Sequence, residues 1–473
     1  MVVVGSGPNG LAAAIVLARA GLATLVLEAR STPGGGMRSE ARTQPGFVHD
    51  VCSTVHPLGL ASPFFRTLGL ERYGLEWIHP PAPLAHVLAD GSAVTLERSV
   101  EATALQLGPD GPVYLDLMTP FVERFDELMA MILGPPRWPD APLLLARFGV
   151  AGMRSMRGLA RRFADARTGA LLGGIAAHAM LPLDGLATAS FGLVLASAGH
   201  AVGWPIARGG SRAIAEALVA CLREAGGEVA CDRLVGCADD LPPARAYVFD
   251  VTPRQLVAIM GSLLPDGYRR RLLRFRYGPG VYKMDWALRG PVPWANAACA
   301  RAATVHLAGD LPEITAAEGV VHAGAVGTPP FVLFVQPSLF DRSRAPEGMH
   351  VGWAYCHVPH GWTRDASAAI ERQVERFAPG FRDAVIARAA SGPAALEAYN
   401  ANYVGGDING GAADLGQLFT RPVVSLDPYA TPAPNVFLCS SSTPPGGGVH
   451  GMCGYFAARS VLARAFPERR VPE

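Results

Sequence analysis

The first twenty-eight residues constrain the fold of this chain more than any other stretch. Val2-Val3-Val4 is a short β-branched run and reads as a buried strand. Gly5-Ser6-Gly7-Pro8-Asn9-Gly10 follows, with the spacing G-x-G-x-x-G. The run LAAAIVLARA is helical and stops at Gly21. Residues 23–27, ATLVL, make a second strand that ends in Glu28. Strand, glycine turn, helix, strand and acid, in that order, form the fingerprint of a dinucleotide-binding βαβ unit. Gly5 permits the tight turn, Gly7 lets the backbone approach a pyrophosphate, and Gly10 allows close helix–strand packing. Pro8 and Asn9 open the helix, whose N-terminus stabilises phosphate charge. Glu28 stands eighteen residues after Gly10, where a carboxylate accepts hydrogen bonds from ribose hydroxyls. The complete unit predicts an α/β fold with a doubly wound, Rossmann-type parallel sheet.

Composition narrows the class. Half of the 473 residues are hydrophobic and 17% are charged, which excludes a disordered chain. The formal net charge of +1 gives no ground for a nucleic-acid partner. The eight cysteines contain no Cys-x-x-Cys pair and read as reduced thiols, hence a cytoplasmic location. Met1 leads straight into the first strand, so no signal peptide is expected. The uncharged stretch 185–206 contains His200 and ends near Pro205. It reads as a buried helix lining an apolar cavity rather than a membrane span.

The fingerprint does not separate FAD from NAD. The segment after Glu28 runs Ala29-Arg30-Ser31-Thr32-Pro33-Gly34-Gly35-Gly36-Met37-Arg38. A glycine loop here can follow an extended diphosphate–ribitol chain, with Arg38 offering a charge-assisted contact. Farther on, Ser211 is a plausible N-cap for an amphipathic helix, and Thr252-Pro253 starts another after a strand at 246–251. Residues 76–204 are largely helical. Residues 276–424 begin with strand-like runs such as VYKMDWAL and FVLFVQP. The chain therefore divides into a discontinuous nucleotide-binding domain, 1–75, 205–275 and 425–473, and an inserted mixed α/β substrate domain, 76–204 and 276–424. A last glycine loop, Gly446-Gly447-Gly448-Val449-His450-Gly451, precedes the final helix but lacks a following strand and acid. It does not start a second nucleotide fold.

These segments resemble the phytoene dehydrogenase-like flavoproteins within the amine oxidase-type FAD superfamily. The resemblance rests on GSGPNGLAAAIVLARAG, Glu28, GGGMRSE, GWPIARGGSR, GPGVYKMDWALRGPVPW, GGDINGG and PPGGGVHGMCGYFAA, and covers essentially the whole chain. It is strongest to the branch of pyridine nucleotide-disulfide oxidoreductase domain-containing protein 2. The resemblance implies non-covalently bound FAD. Gly5, Gly7, Pro8, Asn9, Gly10, Glu28, Ala29, Arg30, Gly35, Gly36, Met37 and Arg38 would hold it. Val235 would meet the adenine end through its backbone. Gly448, Val449, His450 and Met452 would close over the flavin. Cys453, which could bond to flavin, reads as a buried thiol.

The chain carries forty Arg and a single Lys, Lys283. By period two, Lys283 and Asp285 share one strand face, and Tyr282, Met284 and Trp286 the other. A solvent-facing ion pair is the plain reading. An ammonium can also hold a water where a guanidinium cannot do so well, and the resemblance implies a lysine holding a water at flavin N5. Lys283 and His450 are thus the catalytic candidates. His49, Asp50 and His56 follow the glycine loop and have either flavin-adjacent or structural roles. His350, Cys356, His357 and His360 converge poorly for a metal, and none is expected.

The expected reaction is removal of hydride from a largely apolar small molecule to flavin N5, forming C=C or C=N. Two alternatives stay open. One is an amine oxidase-like enzyme using oxygen, with Trp286, Trp353, Tyr355 and Trp362 as an aromatic cage. The other is a flavin-binding protein supporting a non-redox isomerisation. Oxygen or a quinone would serve as external electron acceptor, and apolar substrates leave room for peripheral contact with a membrane.

Overall fold

In the computed structural model, which describes residues 1–470, two sheets organise the chain. In chain order their strands are β1 (Val2–Val4), β2 (Leu25–Leu27), β3 (Ala82–Val87), β4 (Ala93–Leu96), β5 (Glu228–Ala230), β6 (Tyr247–Phe249), β7 (Gly280–Leu288), β8 (Ala302–Leu307), β9 (Val332–Val335), β10 (His350–Val358), β11 (Val385–Ser391) and β12 (Val436–Leu438). The helices that matter for the site are α1 (Pro8–Arg19), α2 (Phe125–Ile132), α3 (Pro142–Gly152), α4 (Ala166–Ala176), α5 (Thr188–Ala201), α6 (Arg212–Glu224), α7 (Pro253–Met260), α8 (Leu311–His322), α9 (Ser367–Phe377) and α10 (Met452–Ala465).

The first sheet is parallel, in the order β12-β6-β1-β2-β5. Its strands alternate between two cores. Val3 packs with α1, α6 and α10, while Val2 and Val4 pack with Leu256, Ile259 and Met260 of α7. Helices on both faces are what a parallel sheet of near-continuous apolar strands requires. The chain thus has the doubly wound fold. Thr252 and Gln255 form a capping box at the start of α7, as its Thr-Pro start predicts. Ser211 departs from expectation. Its side chain does not cap α6, because its hydroxyl is drawn to the Ser53 carbonyl and to His56 Nε2.

The second sheet is mixed, in the order β11-β7-β10-β9-β8-β3-β4. Two of its strands, β3 and β4, come from the stretch read as largely helical. One face packs Met284, Trp286, Phe334 and Ala354 against Ile370, Val374 and Phe377 of α9. The other face carries Thr304, His306, Leu333, Trp353 and Tyr355. Lys283 and Asp285 share that face, as period two predicts, but they are buried, with 2% and 1% of their surface exposed. The solvent-facing reading of the pair therefore fails. The uncharged stretch 185–206 contains α5, a buried fourteen-residue helix. Among the described residues no helix is long and apolar enough to cross a membrane.

Candidate active site

Between the two sheets lies a continuous cavity of about 1230 Å³. The carboxyl ends of β1, β2 and β6 form one end of it, where an open α/β sheet presents ligands. Gly5, Gly7, Pro8, Asn9, Glu28, Ala29, Arg30, Gly35, Gly36, Arg38 and Val235 all line that end. Gly448, Val449 and His450 line the middle, with Cys52, His56 and Tyr403. The far end is walled by Ile132, Phe148, Phe191, Leu195, Leu333 and Tyr355.

The glycines are sterically required. A Cβ on Gly7 would stand 2.6 Å from Asp250 Oδ2, and one on Gly35 would stand 3.0 Å from Gly7 Cα. The two glycine loops therefore touch and leave bare backbone toward the cavity. Glu28 is held by several donors. The Ser6 N–H and hydroxyl donate to Oε2, the Arg30 N–H donates to Oε1 at 2.9 Å, and Arg38 pairs with Oε1 at 2.9 Å. Arg38 also donates to the Thr32 and Gly35 carbonyls, so its charge is committed to fixing the acid and the loop. These residues fit an extended dinucleotide, and the cavity exceeds the size of an ordinary small-molecule site.

Three motif residues stand elsewhere. Gly10 lies beneath the site; its N–H donates to Asp250 Oδ2 at 2.9 Å. Met37 is wholly buried in the core. Met452 is buried there too, and its N–H donates to His450 Nδ1 at 3.1 Å. That bond makes Nδ1 the acceptor. Burial pushes the His450 pKa down to about 4, so a neutral imidazole meets the cavity.

Lys283 does not line the cavity. Its Nζ lies 2.5 Å from Asp285 Oδ1, and Asp285 is shared with Arg42 Nε at 3.0 Å and His49 Nδ1 at 3.5 Å. Burial lowers the Lys283 pKa, with Asp285 opposing. The ammonium is thus engaged by a carboxylate, 5.5 Å from the ring of Trp353, which does line the cavity. Lys283 is therefore set back behind the cavity wall.

Asp50 has a structural place. Burial alone would raise its pKa, yet Arg344, Ser39, Thr54 and the Ser211 N–H together hold it at about 2. The histidines near β10 disperse: His350 to Ser338, His357 to Glu318, His360 to the Gly278 carbonyl. Among the described residues no three His, Cys, Asp or Glu side chains gather as a metal would need. Of the four aromatics read as a cage, only Trp353 and Tyr355 line the cavity, while Trp286 is buried on the opposite face.

Asp250 was missed in the sequence. It follows β6 directly, lines the cavity, and faces all three glycines of the turn. An acid at the carboxyl end of a central parallel strand was the available signal. Burial, with Glu28 adding, pushes its pKa up to about 7. The folded state then holds a proton that the unfolded state releases near the ordinary aspartate value of 3.8. This contribution to stability is present at low pH and is lost as pH rises through about 7. Asp250→Asn should remove that slope. Urea unfolding of both proteins between pH 4 and 8, read as the difference between them, checks it, since other carboxylates cancel.

Comparison with known proteins places these features. The model of an NAD(P)-binding Rossmann-like domain matches residues 3–68. The chain is 25% identical to pyridine nucleotide-disulfide oxidoreductase domain-containing protein 2 of Mus musculus, over 98% of this chain and 93% of that protein. It is 31% identical to hydroxysqualene dehydroxylase of Rhodopseudomonas palustris, over 62% of this chain and 72% of that protein. The solved structure of putrescine oxidase bound to putrescine superposes with a TM-score of 0.61 at 17% identity, over 98% of both chains, a likeness of fold.

Proposed function

This chain belongs to the phytoene dehydrogenase-like, amine oxidase-type oxidoreductases, and on that premise we propose that it removes hydride from an uncharged, largely apolar small molecule. One observation carries the choice of substrate. Among the described residues, the only carboxylates lining the cavity are Glu28 and Asp250, and both stand at the nucleotide end. An ammonium group in the far end would be desolvated with no counter-charge, which is costly. The walls there are aliphatic and aromatic instead.

FAD, when bound, supplies the two-electron acceptor for a departing hydride. The glycine turn, Glu28, Gly35, Gly36 and Val235 would hold its nucleotide half, and Gly448, Val449 and His450 would frame its ring. Binding would be non-covalent, since burial pushes the Cys453 thiol up to about 12 and leaves it unreactive. In this reading residues 1–75, 205–275 and 425–473 serve the cofactor, and 76–204 and 276–424 the substrate. Lys283 acts as a positioning residue behind Trp353. The residues on the far side of the cavity exclude bulk water while one hydrogen leaves as hydride to the acceptor, the neighbouring one leaves as a proton to solvent, and C=C forms. Leu143 and Val150 of α3 are 83% and 70% exposed, and nearby Trp138 is 89% exposed, while Leu145 and Phe148 of the same helix line the cavity. That arrangement favours uptake of substrate from a lipid surface.

Anaerobic absorbance spectra test the reading. Polyenes and isoprenoid alcohols are expected to bleach the flavin, and a quinone to restore its colour. Bleaching by primary amines, with peroxide on readmission of air, would overturn it in favour of the amine oxidase reading. Bound flavin that no substrate bleaches would point to the non-redox alternative.

A further inference from the structure

The far end of the cavity is mainly apolar, with polar side chains from Arg137, Ser190 and, where α4 ends against β8, His178. There His178 lines the cavity, and its Nε2 lies 3.1 Å from His306 Nε2. His306 and His86 are register partners on the parallel strands β8 and β3, and both are fully buried. His86 Nε2 lies 2.7 Å from the Gly309 carbonyl, which only accepts, so Nε2 carries the hydrogen and Nδ1 is a bare acceptor. The Nδ1 atoms of His86 and His306 have no partner. Both face Gly174, where a Cβ would stand 2.6 and 2.8 Å from them, so only glycine leaves the two nitrogens room. Thr304, two residues before His306 on the same strand face, lines the cavity, is 2% exposed, and its hydroxyl also lacks a partner.

Buried polar atoms without partners are few in folded proteins and cost about 1–3 kcal/mol each. Here one of them, the Thr304 hydroxyl, stands on the cavity wall, and the two imidazole nitrogens lie behind that wall against Gly174. We propose that His178 and Thr304, backed by His306 and His86, form a neutral hydrogen-bonding subsite for a hydroxyl or carbonyl group carried by the substrate. The inference rests on the dehydrogenase reading and narrows its substrate class to apolar molecules bearing one uncharged polar group. Burial holds the pKa of His178 at about 3 and that of His86 at about 4, so the imidazoles accept and donate hydrogen bonds without charge. Among the described residues no carboxylate lines this end of the cavity, which makes an amine the poor alternative.

Calorimetric titration of the purified protein at pH 7 with n-octanol, octane and octylamine tests the subsite without requiring turnover. The wild type is expected to bind n-octanol about tenfold more tightly than octane, the worth of one or two hydrogen bonds, and octylamine more weakly than n-octanol. His178→Leu should erase the preference for the alcohol while leaving octane affinity unchanged or improved. Thr304→Val should reduce the preference and serves as the test where His178→Leu does not fold. The proposal is overturned by a wild type that binds n-octanol no better than octane, by octylamine binding as tightly as n-octanol, or by variants that keep the full preference. Failure of the dehydrogenase reading would register separately, as a protein without flavin colour.

Discussion

Gly10→Val is expected to give a chain that retains no dinucleotide and is destabilised by about 3 kcal/mol or more. A Cβ at this position would lie 2.1 Å from the Gly5 carbonyl oxygen and 3.0 Å from its carbon. Both are backbone atoms of the turn that makes the phosphate site, so neither can swing aside. The helix α1 would have to leave β1, taking the N-H groups of its first turn out of position. Its far side is closed as well, because Gly454 of α10 sits so close that a Cβ there would stand 1.8 Å from the Asn9 carbonyl oxygen. Gly319→Ala supplies the contrast. It lies within α8 with nothing within 4 Å of the added carbon, and should stabilise by about 0.5–1 kcal/mol. Retained chromophore per protein and urea midpoints check both variants.

Asp285→Ala is the second change with a large expected effect, about 3–5 kcal/mol. It strips the common acceptor from Lys283 and Arg42 and leaves the ammonium in a site 2% exposed. The sign of its pH dependence follows from linkage. The unfolded chain protonates Lys283 more readily than the folded one, so the deficit is greatest at neutral pH and shrinks as pH rises toward the free-lysine value of about 10.4. Lys283→Met combined with Asp285→Leu should recover the part of the loss due to the stranded ammonium, while Arg42 keeps only Glu40 as a carboxylate partner. A double-mutant cycle from chemical denaturation at pH 7 and 9.5 measures the coupling. Additive losses would mean that the two side chains do not act as a pair.

How much of this was readable in the sequence depended on how local each device is. The strand, glycine turn, helix and acid could be read because every part lies within the first twenty-eight residues, and the steric demand at Gly10 comes from Gly5 in the same turn. The shared face of Lys283 and Asp285 followed from strand period alone. Their burial did not, since it comes from Arg42 and His49, more than two hundred residues away. Separations of 128 and 223 residues likewise hid the proposed histidine subsite, in which residue 178 meets 306 and residue 86 meets Gly309. Met37 and Met452 show the reverse error. Met37 closes the short helical turn after the first glycine loop and Met452 opens α10, and both side chains fill the core. Ser211 looked like a cap by type and position, yet two nearby partners offered its hydroxyl better geometry.

The central claim, that the two touching glycine loops hold an FAD against an apolar chamber, is tested most directly by the visible absorbance of the purified protein and by the nucleotide it releases on denaturation. The expected result is a yellow protein with flavin bands and one FAD released per chain into the supernatant, without covalent label. A colourless protein that takes up no FAD when it is added, or one that releases NAD(P) instead, would contradict it.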